Sequence, residues 1–295
     1  MQKPSTDKVA LLGILVLTAI WSLNWVVMKL ALRDGGPFAF SALRYLLGTA
    51  GLFALLALLR RPLRPTPWLP TLGVGLTQTA GFQLLVQLSL VSGGAGKMAI
   101  LAYSMPFWIV PLAWWWLGER PGRARWLCIA AAAIGFVLVV EPWQPIGAAH
   151  SIVLALASGL TWAVSAVLAK RMFQKYPDVT PLGLTAWQML YGTAALVVAA
   201  LLVPERSIHW TASYVGALLY AGILASSIAW AAWAVVVQRV AASVAGLTSL
   251  AVPVCSVLFA WALLGESPSS VEWLGIALIA AALAVLNFAG SRPGR

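Results

Sequence analysis

Ten stretches of mostly apolar residues follow one another along the chain, at 9–32, 37–59, 69–91, 96–117, 124–141, 150–173, 181–203, 213–238, 242–264 and 271–289. A helix needs about 20 such residues to cross the hydrocarbon core of a bilayer, and these runs fit that length. Polar, Gly- and Pro-rich punctuation separates them, as in Asp34-Gly35-Gly36-Pro37, Arg60-Arg61-Pro62, Glu119-Arg120-Pro121 and Pro204-Glu205-Arg206. The connections are too short for a separate soluble domain. The first run is too long for the core of a signal peptide and has no evident cleavage site after it. The pattern predicts an all-α integral membrane protein with ten transmembrane helices.

Composition agrees with the pattern. Of 295 residues 61% are hydrophobic and 9% are charged, against about 25% charged in soluble domains. A water-facing surface could not be covered with so few polar groups. The net charge of +11 would suggest nucleic acid in a soluble protein, but here the basic residues occupy the short loops. Alternate loops, starting with the N-terminus, hold fourteen Lys and Arg, and the other set holds four. The positive-inside rule then puts both termini in the cytoplasm. Cys128 and Cys255 lie inside apolar runs and form neither a disulfide framework nor a metal-ligand spacing.

The chain also repeats itself. Leu117-Gly118-Glu119-Arg120-Pro121 recurs as Leu264-Gly265-Glu266-Ser267-Pro268, an offset of 147 that also carries Pro106 onto Pro253. Trp21 and Lys29 match Trp162 and Lys170 at offset 141, and Gly48-Thr49-Ala50 matches Gly192-Thr193-Ala194 at offset 144. Two halves follow, 1–145 and 146–295, of five runs each. An odd number of crossings makes the second half enter the membrane upside down, and inverted repeats are a transporter signature. The alternative is a duplication retained for packing alone.

Ten spans, about 300 residues, two halves and a Leu-Gly-Glu-x-Pro stretch closing the fourth and ninth runs resemble the EamA-type drug/metabolite transporter superfamily. Among its members the chain is most similar to bacterial exporters of aromatic and other neutral amino acids. The resemblance implies an inner-membrane protein with a central cavity lined mainly by the first, third, fourth, sixth, eighth and ninth runs.

Candidate chemistry is notable first for what the spans lack. Asp7, Asp34, Glu119, Glu141, Asp178, Glu205, Glu266 and Glu272 all fall in loops or at run ends, as do His150 and His209. Proton-coupled carriers keep such a group at mid-membrane, so uniport is expected. The missing cluster of His, Asp and Glu argues equally against an intramembrane enzyme. Arg44 is the one charge well inside a run, roughly 10 Å from its edge at 1.5 Å per residue. It could receive a substrate carboxylate; snorkelling or bonding to helix-end carbonyls is the favoured alternative.

Pro106 and Pro253, with Pro111 beside the first, remove backbone donors within spans and suit either hinges or static kinks. Asn24, Gln78 and Gln83 are amides at membrane depth and should face protein or a watery path; Ser104, Ser165, Ser226, Ser227 and Ser249 lie at similar depth but commonly serve close helix packing. Mid-span aromatics include Trp21, Phe82, Tyr103, Trp108, Trp162, Trp230 and Trp233, each by default a packing group but together able to stack on flat substrates at about 0.5–1.5 kcal/mol per pair. Glu119 and Glu266 could each cap the following helix or latch one half to the other.

The substrate-binding set expected is therefore Trp21, Asn24, Gln78, Phe82, Tyr103, Trp108, Trp162, Ser165 and Trp230, with Pro106, Pro253, Glu119 and Glu266 as gating positions. The expected function is alternating-access export of aromatic or neutral amino acids and related metabolites. Its partners are a small-molecule substrate and the bilayer, with no cofactor, metal or nucleic acid, and a monomer suffices. Export of another organic solute such as a quaternary amine, which aromatic faces also bind, and an intramembrane lipid-modifying enzyme are the rivals. Single cysteines at Arg120 and Ser267 in a cysteine-free background test the inversion: a membrane-impermeant maleimide should label them from opposite sides, and labelling from one side would remove the basis for alternating access.

Overall fold

The computed structural model describes residues 8–118, 122–141, 143, 149–236 and 242–289, and every regular element among them is helical. In chain order these are α1 (Lys8–Ala31), α2 (Pro37–Leu58), α3 (Trp68–Val74), a π-helical segment (Gly75–Gly81), α4 (Phe82–Ser92), α5 (Ala95–Ala102), α6 (Met105–Leu117), α7 (Arg123–Val140) and α8 (Ala149–Lys175). There follow α9 (Pro181–Leu202), α10 (Ala212–Leu219), a second π-helical segment (Tyr220–Ile228), α11 (Ala229–Val236), α12 (Ala242–Leu264) and α13 (Ser270–Ala289). Seven stretches are long and apolar enough to cross a membrane: Leu12–Ala31, Pro37–Leu58, Trp68–Ser92, Ala95–Leu117, Ala149–Lys175, Pro181–Leu202 and Ala212–Trp233. Trp126–Val140, Ala251–Leu264 and Ser270–Val285 are shorter apolar helices.

Three of the apolar runs are not the uniform helices that hydropathy predicts. The run at 69–91 is α3, a π segment and α4, and the run at 213–238 opens as α10, a π segment and α11. In the second π segment the Ser226 and Ser227 hydroxyls donate to Ala221 O and Gly222 O, five residues back, at 2.7 and 3.3 Å. In the first, Thr77 donates to Gly73 O at 2.8 Å. Hydroxyls thus serve carbonyls that the wider turn displaces from their usual donors. The run at 96–117 is broken at Tyr103–Ser104, and Pro106 stands in the first turn of α6, where its missing N–H costs nothing.

The Leu-Gly-Glu motif has a backbone reason. Gly118 and Gly265 each follow the last residue of a helix, α6 and α12, with φ of 70° and 72°. That left-handed conformation closes a helix end and favours glycine.

Two contacts across the structure share one design. Gly48 of α2 lies on the second π segment, so close that a Cβ there would meet Ser226 Cβ at 2.9 Å and Gly222 O at 3.3 Å. Gly192 of α9 lies on the first π segment, where a Cβ would meet Thr79 Cβ at 2.4 Å and Gly75 O at 2.6 Å. Between the glycines the hydroxyls of Thr49 and Thr193 bond to each other at 2.8 Å. Elsewhere α1 packs on α12, α4 on α8, and α7 on α13. The outer faces are apolar, with Leu58 and Leu201 each 81% exposed, while Ser22, Gln87, Ser158 and Ser256 are fully buried. This is the polarity of a molecule whose surroundings are oil.

Gly192→Ala should lower the melting temperature in detergent, because strain from the clash, about 1–3 kcal/mol, outweighs a helix-propensity gain of about 1 kcal/mol. Gly216→Ala, at an exposed helical site with nothing within 4 Å, should leave it unchanged or raise it.

Candidate functional site

A cavity of about 420 Å³ lies among α1, α2, the first π segment, α4, the α5–α6 break, α8, α9 and the second π segment. Aromatic rings form two groups in its wall. Trp21 stands 5.5 Å from Trp230 and 5.7 Å from Trp233 between ring centroids, the latter edge-on, and its indole N–H donates to Ala225 O of the second π segment at 3.2 Å. Trp162 stands 5.0 Å from Phe82 and 5.4 Å from Tyr103, edge-on to the tyrosine. Tilted and edge-on pairs fix each other's orientation, so the wall presents ring surface in set directions.

The polar part of the wall centres on Arg44, which is only 5% exposed. Its Nε donates to Ser226 Oγ at 3.1 Å and Ala221 O at 3.3 Å. Its Nη1 donates to Gln83 Oε1 at 3.0 Å and lies 2.9 Å from Met28 Sδ. The guanidinium carbon sits 5.1 Å from the Tyr45 ring centroid. Nearby, Thr79 donates to Gln188 Oε1 at 2.8 Å. Asn24 also lines the cavity, and its buried Oδ1 has no hydrogen-bond partner.

Eight of the nine expected binding residues meet at this cavity: Trp21, Asn24, Gln78, Phe82, Tyr103, Trp162, Ser165 and Trp230. The Ser165 hydroxyl is turned into its own helix and donates to Trp162 O at 2.6 Å. Trp108 stands outside the lining, 38% exposed, with its indole N–H on Ser104 Oγ at 3.1 Å. It follows the break by one turn, which rotates it off the cavity face. Arg44 faces inward rather than snorkelling, because Ser226 and Ala221 of the second π segment and Gln83 of α4 supply neutral acceptors where a lipid-facing arginine would have none. Sequence position alone could not see those acceptors. The presence of Ser226 and Gln83 at similar depth was the available signal.

One edge of the molecule is tied by charged groups. Glu266 Oε2 accepts from Gly96 N in the first turn of α5 at 3.2 Å, so the carboxylate reaches α5 and not the helix that follows it in sequence. That following helix, α13, is capped by Ser269 and Glu272: Ser269 N donates to Glu272 Oε2 at 2.8 Å, and Glu272 N to Ser269 Oγ at 3.0 Å. Glu272 also pairs with Lys97, and Lys29 donates to Leu90 O and Gly93 O at 2.6 and 2.8 Å. Beside this cluster is a more open hollow of about 530 Å³. Pro253 lies inside an unbroken α12. Glu119 lies outside the described residues.

The model of the EamA-like transporter family matches residues 8–141 and again residues 150–288. The chain belongs to this family. It is a multi-pass membrane protein of transporter type. It is 26% identical to the uncharacterized transporter YoaV of Bacillus subtilis, over 96% of this chain and 98% of that one. It is 29% identical to a probable amino-acid metabolite efflux pump of Salmonella typhimurium, over 95% of each, and 29% identical to a riboflavin transporter of Rhizobium johnstonii, over 88% of this chain and 82% of the other. A solved crystal structure superposes with a TM-score of 0.68 at 22% identity, over 96% of this chain and 98% of that chain, a likeness of fold.

Removing the tie at the edge should loosen it. With Glu266→Ala, a cysteine placed at Val257, in the wall of the open hollow, should react with maleimide about tenfold faster in detergent, the scale expected for losing one charge-assisted bond. An unchanged rate would show that apolar packing of α5 on α12 holds the edge by itself.

Proposed function

We propose that this EamA-family protein exports neutral and aromatic amino acids and related metabolites by alternating access, as a uniporter, through the cavity between its two halves. The halves are 1–145 and 146–295, each crossing the membrane five times and with opposite polarity, in a bacterial inner membrane with both termini in the cytoplasm. The observation that carries the substrate class is the aromatic wall. Trp21 and Trp162, mates in the sequence repeat, each belong to a ring group in the wall of one cavity. The amino-acid efflux pump among the relatives supports the same class.

Support for the inversion is geometric. Residues that contact their own repeat mate stand on the axis relating the halves, and Thr49 bonds Thr193. Gly48 against Gly222 and Ser226, and Gly192 against Gly75 and Thr79, are the same contact made once from each half. The two π segments fall in corresponding spans, and the family model matches each half separately. None of the residues lining the cavity is an Asp, Glu or His, so the wall offers no proton-carrying side chain for coupling.

In liposomes holding unlabelled L-tryptophan, labelled L-tryptophan should accumulate by counterflow, and collapsing a pH gradient should leave its rate unchanged. Uptake that stops with the gradient would overturn uniport. Trp162→Ala should slow aromatic substrates by about three- to tenfold, the loss of one or two ring contacts, and small neutral amino acids less. An equal loss for all would mark a folding defect instead.

A further inference from the structure

Arg44 is a buried cation with no anion beside it among the described residues. A guanidinium keeps its proton at any working pH, and a charge at membrane depth is costly unless it is paired. The acceptors around Arg44 are all neutral, namely Ser226 Oγ, Ala221 O, Gln83 Oε1 and the weak Met28 Sδ. They occupy Nε and Nη1; Nη2 has no hydrogen-bond partner among the described residues. The six described carboxylates do not supply a partner, for none of them lines the cavity. Glu205, Glu266 and Glu272 serve helix N-termini, Asp34 and Glu141 accept from Thr211 and Ser269, and Asp178 lies in the loop after α8. Asn24, one turn before Met28 on α1 and so on the same face, brings a second unsatisfied group to the wall. It is 5% exposed, and its Oδ1, an acceptor, has no partner among the described residues.

We propose that the cavity binds its substrate as an organic carboxylate seated on Nη2 of Arg44, with a donor group of the substrate on Asn24 Oδ1 and its flat apolar part against Trp162 and Phe82. This deepens the transport reading and rests on the same cavity. One uncompensated positive charge matches a monoanion and leaves a phosphate dianion half unneutralised. The same charge repels a quaternary amine, so aromatic walls here do not serve a cation. The guanidinium is pre-positioned by Ser226, Ala221 and Gln83, so little ordering is lost when the carboxylate arrives.

Ligand-induced melting shifts of the purified full-length protein test this with three indole probes on the same two-carbon arm: indole-3-propionate, its isosteric neutral amide and the cation tryptamine. The carboxylate should raise the melting temperature at a half-maximal concentration about tenfold or more below that of the amide, and tryptamine should give no shift. Gln83→Glu puts a carboxylate against Nη1 without removing the guanidinium, so the protein should fold well yet bind indole-3-propionate about tenfold more weakly. Arg44→Lys keeps the charge and loses the fork, and should retain part of the preference. Equal shifts from the acid and its amide, no shift from the acid, or an unchanged affinity in Gln83→Glu would each overturn the proposal. Counterflow separates it from the transport reading. Carboxylate binding with no tryptophan counterflow refutes transport and leaves the Arg44 site. Counterflow that treats tryptophan and tryptophanamide alike refutes the Arg44 site and leaves transport.

Discussion

Polar groups inside this molecule must find their partners in protein, because the surroundings offer none, and that constraint shapes the interior more than any pattern of apolar burial. Lipid makes no distinction between a Leu on the outer face and one in the core, so helix association rests on close approach and hydrogen bonds. The contacts of α2 and α9 with the two π segments supply both. Gly48 and Gly192 remove the side chains that would hold backbones apart, Thr49 and Thr193 satisfy each other, and Ser227 donates to Gly48 O at 2.8 Å as well as within its own segment. The π turns are stable here because hydroxyl side chains and a neighbouring helix answer for displaced carbonyls.

The cavity is the place where the same rule is relaxed. Along its wall Arg44 Nη2 and Asn24 Oδ1 have no partner among the described residues, although nearby amides such as Gln188 are bonded to Thr79. Incomplete solvation of a fixed charge is destabilising for an empty protein and becomes binding free energy when a complementary group enters. Placing Arg44 on the second π segment through Ser226 and Ala221 also means that whatever occupies the guanidinium bears on an element of the second half, although Arg44 itself belongs to the first. A substrate bound there touches both halves at once, as the proposed mechanism requires.

Much of this was legible in the sequence, and the reasons differ by element. Run lengths located the helices because hydropathy is the dominant signal in a membrane chain. Matching Trp21 with Trp162 pointed to two residues that both line the cavity. The π segments were not legible. A shift from four- to five-residue bonding leaves composition unchanged, and hydroxyls such as Thr77 and Ser226 look the same whether they face a neighbour or their own helix. Trp108 misled because a break at Tyr103–Ser104 changes the phase of every residue after it. The choice among a substrate carboxylate, snorkelling and carbonyl bonding for Arg44 is not visible in sequence, because its acceptors come from residues 39, 177 and 182 positions away. Glu266 illustrates the converse. Its place beside a helix start suggested either a cap on the adjacent helix or a latch to the other half; Ser269 and Glu272 already fill the first role, and Glu266 reaches α5.

Under the proposed inversion the two halves cannot hold the same conformation at one time, since identical halves would open both membrane faces equally. Their differences should then collect where the mechanism acts. The crossing built from α5 and α6 is interrupted at Tyr103–Ser104, while its repeat mate α12 runs unbroken from Ala242 to Leu264 with Pro253 inside it. Gly159 of α8 lies against the interruption, where a Cβ would come within 2.3 Å of Ser104 Oγ and 2.8 Å of Ala102 O. Pro106 supplies no N–H to mend it. At the far end of the same crossing Glu266 ties the start of α5 to the end of α12. The broken helix therefore carries Tyr103 of the cavity at its break and the tie at its other end. Under the proposed mechanism a substrate pressing on Tyr103 and Trp162 acts on the same element that Glu266 holds, which connects the cavity to the edge that would open.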